Sequence, residues 1–176
     1  HQGLYQVLWL RTGHAALLLD DGRVLVAGGE AAGVSSELFD PVTNTWSVAG
    51  ALAQPRSEHT LTKLNDGRVL AAGGVAGEGE VASLEVFDPA ERTWAAAGSL
   101  AGARRRHASV LLSDGRVLVS GGLAAGMPSA TVELFDPDAG VSSPGRLSVA
   151  RAGHAAARLP DGTVLVYGGS GFEKKV

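Results

Sequence analysis

Four histidines stand at near-equal intervals along the chain: His14, His59, His107 and His154. Imidazole is a common metal ligand and general base, so a ring of four raises the question of a metal site. The ligands of one ion must lie within a few ångströms of each other, and positions in four separate units do not promise that. The simpler expectation is that each imidazole starts a strand and bonds a neighbouring backbone carbonyl. His1 at a free amino terminus has copper-chelating chemistry, but reads as a remnant of processing or cloning. Aspartates are frequent enough to suggest the carboxylate pair of a glycoside hydrolase. Asp20, Asp21, Asp40, Asp66, Asp88, Asp114, Asp136 and Asp161 all fall in Asp-Gly or Asp-Pro turns, which gives them a structural reason to exist. No Ser-His-Asp order stands out from the rest of the pattern. The glycine pairs follow apolar runs and open no helix, so they form no phosphate loop. Cysteine is absent, which excludes disulfides, thiolate metal sites and cysteine nucleophiles. The chain is therefore expected to be non-catalytic, with no cofactor and no metal.

What must position these residues is a repeat. Asp-Gly recurs at Asp21-Gly22, Asp66-Gly67, Asp114-Gly115 and Asp161-Gly162, in steps of 45, 48 and 47 residues. Double glycines move with it at Gly28-Gly29, Gly73-Gly74, Gly121-Gly122 and Gly168-Gly169. Arg11, Arg56, Arg104 and Arg151 each precede a histidine by three. Phe-Asp-Pro recurs from Phe39, Phe87 and Phe135. Trp46 and Trp94 each lie seven residues after their phenylalanine, where the third copy has Ser142.

Each unit reads as four short strands. The first runs from the histidine, as in His14–Leu19. Asp-Gly makes a tight hairpin. The second strand, Arg23–Ala27, is a continuous apolar run of the kind buried on both faces. The third is Ser36–Asp40, and Asp40-Pro41 begins the next turn. The fourth is Thr45–Ala49, where Trp46 supplies a ring to pack between units. Such a sheet cannot bury both faces alone, and radial stacking of sheets solves that problem.

The order Arg-x-x-His, apolar strand, Gly-Gly, Glu-x-Phe-Asp-Pro, Thr-x-Thr-Trp resembles the kelch repeat, from Arg11 to Gly169. The fold class expected from that resemblance is all-β: kelch-type β-propeller blades of four antiparallel strands, three complete plus one partial. Residues 11–50, 51–98 and 99–147 form the blades, 148–169 a partial fourth, and 170–176 a tail. Residues 1–10 are an N-terminal strand able to close the ring, or an extraneous segment. Kelch propellers usually close with six or seven blades, so three readings stand side by side. The chain is a piece of a larger propeller, or a four-bladed ring closed by Leu4–Leu10, or half of a ring of about eight blades built from two chains. Kelch-like blades also carry galactose oxidase, whose copper site needs a tyrosine cross-linked to cysteine. A chain without cysteine, with only Tyr5 and Tyr167, does not supply it.

Glu37, Glu85 and Glu133 precede Arg56, Arg104 and Arg151 by 19, 19 and 18 residues, which suggests ion pairs between adjacent blades. On that reading Arg11 has no partner and both ends of the array are open, so self-association is expected. Loops after Gly-Gly and before each histidine share one rim and differ between units, as binding loops do. They place the candidate binding residues at Glu30, Glu58, Glu78, Glu80, Arg105 and Arg106, with Arg104 claimed by the framework. The expected partner is a protein or peptide. A carbohydrate is the second reading, against which counts the lack of rim aromatics; an excised or engineered self-assembling fragment is the third. A net charge of −3 gives no general attraction to nucleic acid or anionic membrane, and no apolar run approaches the ~20 residues of a membrane helix. Localisation is not encoded, with a secreted or cell-surface setting slightly favoured.

Overall fold

The computed structural model describes residues 11–30, 33–77 and 79–171, and all their regular structure is β. The first sheet takes β1 (Ala15–Leu18), β2 (Val24–Ala27), β3 (Ser35–Asp40) and β4 (Thr45–Ala51) in that spatial order, every pair antiparallel. The second repeats it with β5 (Thr60–Lys63), β6 (Val69–Ala72), β9 (Ser83–Asp88) and β10 (Thr93–Ser99). A small hairpin of β7 (Val75–Ala76) and β8 (Gly79–Glu80) intervenes. The third sheet is β11 (Ala108–Leu111), β12 (Val117–Ser120), β15 (Thr131–Asp136) and β16 (Gly140–Arg146), with its own hairpin of β13 (Leu123–Ala124) and β14 (Met127–Pro128). β17 (Ala155–Arg158) and β18 (Val164–Tyr167) form a two-stranded fourth unit.

The second strands of the first three sheets are almost wholly apolar because both of their faces meet a neighbour. Leu25 and Leu38 of the first sheet pack on Val69 and Phe87 of the second, with Leu19 and Ala49 around them. Leu70, Leu84 and Val86 of the second pack in turn on Val117, Val119 and Phe135 of the third. The core is thus a series of interleaved junctions between sheets rather than one central cluster.

Two local expectations need correction. The Asp-Gly hairpins are tight, but Asp-Gly is not the central pair of the turn. Gly22 N–H donates to the Leu19 carbonyl at 3.2 Å, so Asp20 and Asp21 occupy the centre of the turn and Gly22 follows at φ +87°. That is a type I turn with a glycine bulge, in which Asp21 accepts the Arg23 N–H at 3.0 Å. The seat of the missing tryptophan is also not Ser142. Phe39 faces Trp46 and Phe87 faces Trp94, but Phe135 faces Val141. The third turn closes Asp136 on Gly140, one residue sooner than Asp88 closes on Thr93, and this shifts the strand.

Candidate functional site

The arginines and glutamates pair inside each blade, not between blades. Arg56 reaches Glu85 at 2.5 Å, Arg11 reaches Glu37 at 2.7 Å, and Arg104 is paired with Glu133. Arg11 therefore has a carboxylate, and it is Arg151 that meets none among the described residues. The guanidiniums also hold the blade's backbone together. Arg56 Nη1 donates to the carbonyls of Gly73 at 2.9 Å and Ser83 at 3.0 Å. Glu85 in turn accepts the N–H groups of Ala53 at 2.6 Å and Gln54 at 3.3 Å, which fixes the incoming linker. Arg104 and Glu133 repeat this set. These ions are almost wholly buried, and burial pulls the Arg56 and Arg104 pKa values down while their glutamates push back. Buried charge with this much hydrogen bonding is framework, not a free site.

The histidines belong to the same framework, but not through backbone carbonyls. Nε2 of His107 meets Thr60 Oγ1 at 3.0 Å, and Nε2 of His154 meets Ser120 Oγ at 3.0 Å. His59 has neither hydroxyl, since Ala15 and Ala27 stand at the matching positions, and both its ring nitrogens are buried without a partner. Burial holds His59 and His107 neutral, with pKa values pushed down to about 3. Each ring lies on the first glycine of the preceding unit's pair. A Cβ on Gly121 would sit 2.7 Å from His154 Cε1 and 2.5 Å from the Arg151 carbonyl, at φ +60°, so only glycine fits.

Backbone bonds tie the blades along the inner rim. Glu58 N–H donates to the Gly13 carbonyl at 2.7 Å, Arg106 N–H to Glu58 at 3.0 Å, and Gly153 N–H to Arg106 at 2.8 Å. A second series runs from Gly29, Gly74 and Gly122 to the carbonyls of Arg56, Arg104 and Arg151. Glu58 and Arg106 sit at positive φ, at the positions that Gly13 and Gly153 hold in their units.

The candidate rim residues fall into two places. Glu58, Glu80, Arg105 and Arg106 form one network across the second and third blades. Arg105 bonds Glu58 at 2.6 Å and lies 3.7 Å from Glu80, while Arg106 lies 3.6 Å from Glu58. Glu80 also accepts the Gly126 N–H at 3.0 Å, from the tip of the next hairpin. Acidic and basic charge is therefore interleaved there rather than segregated. Glu30 stands apart and accepts the Thr12 hydroxyl at 2.9 Å. Glu78 lies outside the described residues. The hairpins themselves are anchored by the bridges Ser57 to Val75 and Arg105 to Leu123. Sequence reasoning missed this network, although opposite charges at the matching positions Glu58 and Arg106 were a usable signal.

Interleaved four-stranded sheets tied at an inner rim define the chain as a β-propeller array. Within it, residues 104–145 match the family model described as the Kelch motif. No curated protein matches the chain. A solved structure described as "Structure of YjhT" superposes with a TM-score of 0.78 at 20% sequence identity, covering 93% of this chain and 60% of that one. The likeness shows the propeller fold, and the chain spans three fifths of the length of that protein.

Proposed function

We propose that the chain is a non-catalytic scaffold whose partner, a protein or peptide, sits on the rim carrying the β7–β8 and β13–β14 hairpins. Kelch repeats in general mediate protein–protein interaction. One contrast carries the finer reading. The Asp-Gly rim repeats the same turn in every unit, and its carboxylates are engaged by nearby backbone and arginine groups. The opposite rim holds anchored hairpins of different sequence, with Met127 exposed next to Gly126, whose N–H bonds Glu80. Anchored but varied loops recognise a partner at low ordering cost. Selection of peptides from a random library on the immobilised chain tests this. Selected peptides are expected to lose at least ~10-fold in affinity with Met127→Asp or Arg106→Ala, and none with Asp114→Asn on the other rim. Loss confined to Asp114→Asn overturns the reading, and glycan-array binding with no peptide selected would favour a carbohydrate partner.

A second reading is self-association, favoured by the two outward faces. Leu165 is 52% exposed, whereas Leu25 and Leu70 at the same position are fully buried. Leu18 at the other end is 61% exposed, and Phe39 there is only half-buried, whereas Phe87 and Phe135 are covered by the preceding blade. The occupant of these faces is a second copy of the chain.

A further inference from the structure

The junction between the second and third blades lacks a ring that the junction before it contains. Trp94 stands opposite Phe87 with ring centroids 5.1 Å apart. It crosses to the first blade, packs against the cluster of Leu25, Leu38 and Ala49, and donates its indole N–H to Ser36 Oγ at 3.0 Å. In the next junction the seat opposite Phe135 is Val141, a much smaller side chain. Leu84 replaces Ser36 as the residue across the junction, so no hydroxyl awaits an indole there. A groove of about 350 Å³ opens beside this place, lined by Leu64, Val86, Ala95, Ala97, Phe135 and Gly140 among others, with Val141 next in the chain to its wall.

We propose that this gap is a binding site for a planar aromatic group of indole size, neutral or positively charged. The shape is set by the fold itself, which fills the preceding junction with an indole against a phenylalanine. The sign of charge is set by the cavity's wall. Asp88 and Asp136 line it beside a single cation, Arg68. Arg68 is already engaged by Asp66 at 2.6 Å. Each aspartate has one oxygen committed to its turn: Asp88 Oδ1 accepts the Ala90 and Glu91 N–H groups, and Asp136 Oδ1 those of Asp138 and Ala139. The remaining oxygens leave the site with a net negative wall that disfavours an aromatic carboxylate. The site lies between blades and does not depend on the rim reading.

Titration of the whole chain with indole, tryptamine, indole-3-acetate and a tryptophan-containing peptide, followed by NMR, tests it. Resonances of Phe135, Ala95 and Ala97 are expected to shift with indole and tryptamine at high-micromolar to millimolar concentration, and at least ~5-fold less readily with indole-3-acetate. A peptide response equal to that of indole assigns the source as a partner's tryptophan side chain; a response to the small molecules alone assigns it as a free metabolite. Val141→Trp sets an indole opposite Phe135, which forms a wall of the groove, so it should raise Tm and abolish the shifts. Val141→Leu, a milder filling, should weaken them several-fold if the tryptophan variant does not fold. Unchanged binding in a folded Val141→Trp or Val141→Leu chain, or no shift at these residues with any probe, overturns the proposal.

Discussion

At the scale of single residues, the propeller stands on ions that water does not reach. Removing one member of such a pair leaves an uncompensated buried charge. Glu85→Ala strands the Arg56 guanidinium together with the Ala53 and Gln54 N–H groups, and should cost about 3–5 kcal/mol in urea denaturation. Replacing Arg56 and Glu85 together by Met and Leu should cost less than the single change, since no lone charge remains. His59 offers the reverse experiment. Ala27→Ser places a hydroxyl where Ser120 serves His154, and should stabilise the fold by roughly 0.5–1.5 kcal/mol. The same histidines set an acid limit. Above pH ~6.5 an unfolded imidazole is neutral, as the folded ones are. Between about 6.5 and 3 the unfolded chain binds protons that His59 and His107 refuse when folded, so stability falls as the pH drops through this window. The slope is up to ~1.4 kcal/mol per pH unit for each histidine, and thermal melts at pH 7 and pH 5 read it directly.

At the scale of elements, strands and their order were legible because each landmark recurs with its neighbours. What escaped was whatever a repeat leaves ambiguous. A glutamate 19 residues before one arginine is, in the same periodic string, 26 to 29 after another, as Arg11–Glu37 and Arg56–Glu85 show. Periodicity cannot say which arginine the carboxylate meets; the fold's geometry decides. Turn length is hidden in the same way. Counting seven residues from Phe135 assumes the turn of the other blades, and one fewer residue after Asp136 puts Val141 in the tryptophan's place. The hydroxyls of Thr60 and Ser120 were missed because they come from different strands, so no shared position announced them. The double glycines were legible as landmarks, and the fold makes them close approaches. Gly121→Ala should cost about 2–4 kcal/mol, combining backbone strain with overlap on the Arg151 carbonyl, where Gly126→Ala meets no atom nearby and bears the strain alone. Denaturation midpoints of the two variants check this difference.

At the scale of the whole molecule, three sheets have four strands and the last has two among the described residues, and no described residue covers the two outermost faces. Sedimentation of the chain at tens of micromolar should show a mass above the monomer, and Leu18→Glu or Leu165→Glu should return it toward the monomer by charging an apolar face. A monomer throughout, with the surface leucines inert to substitution, would count against self-association. The rim network was only half legible. Its residues could be named from loop position, but their mutual neutralisation depends on neighbouring blades bringing Glu58 under Arg105 and Arg106.

The inner-rim bonds run both ways. From Gly13 through Glu58 and Arg106 to Gly153 the later unit supplies the N–H and the earlier one the carbonyl, while Gly29, Gly74 and Gly122 donate from the earlier unit to the Arg56, Arg104 and Arg151 carbonyls of the later one. Each junction is thus stitched by a reciprocal pair of bonds, and a copy added head to tail can extend both series at once. Such heterologous contacts either close into a ring, when the rotation per unit divides the circle, or continue as an open fibre when it does not.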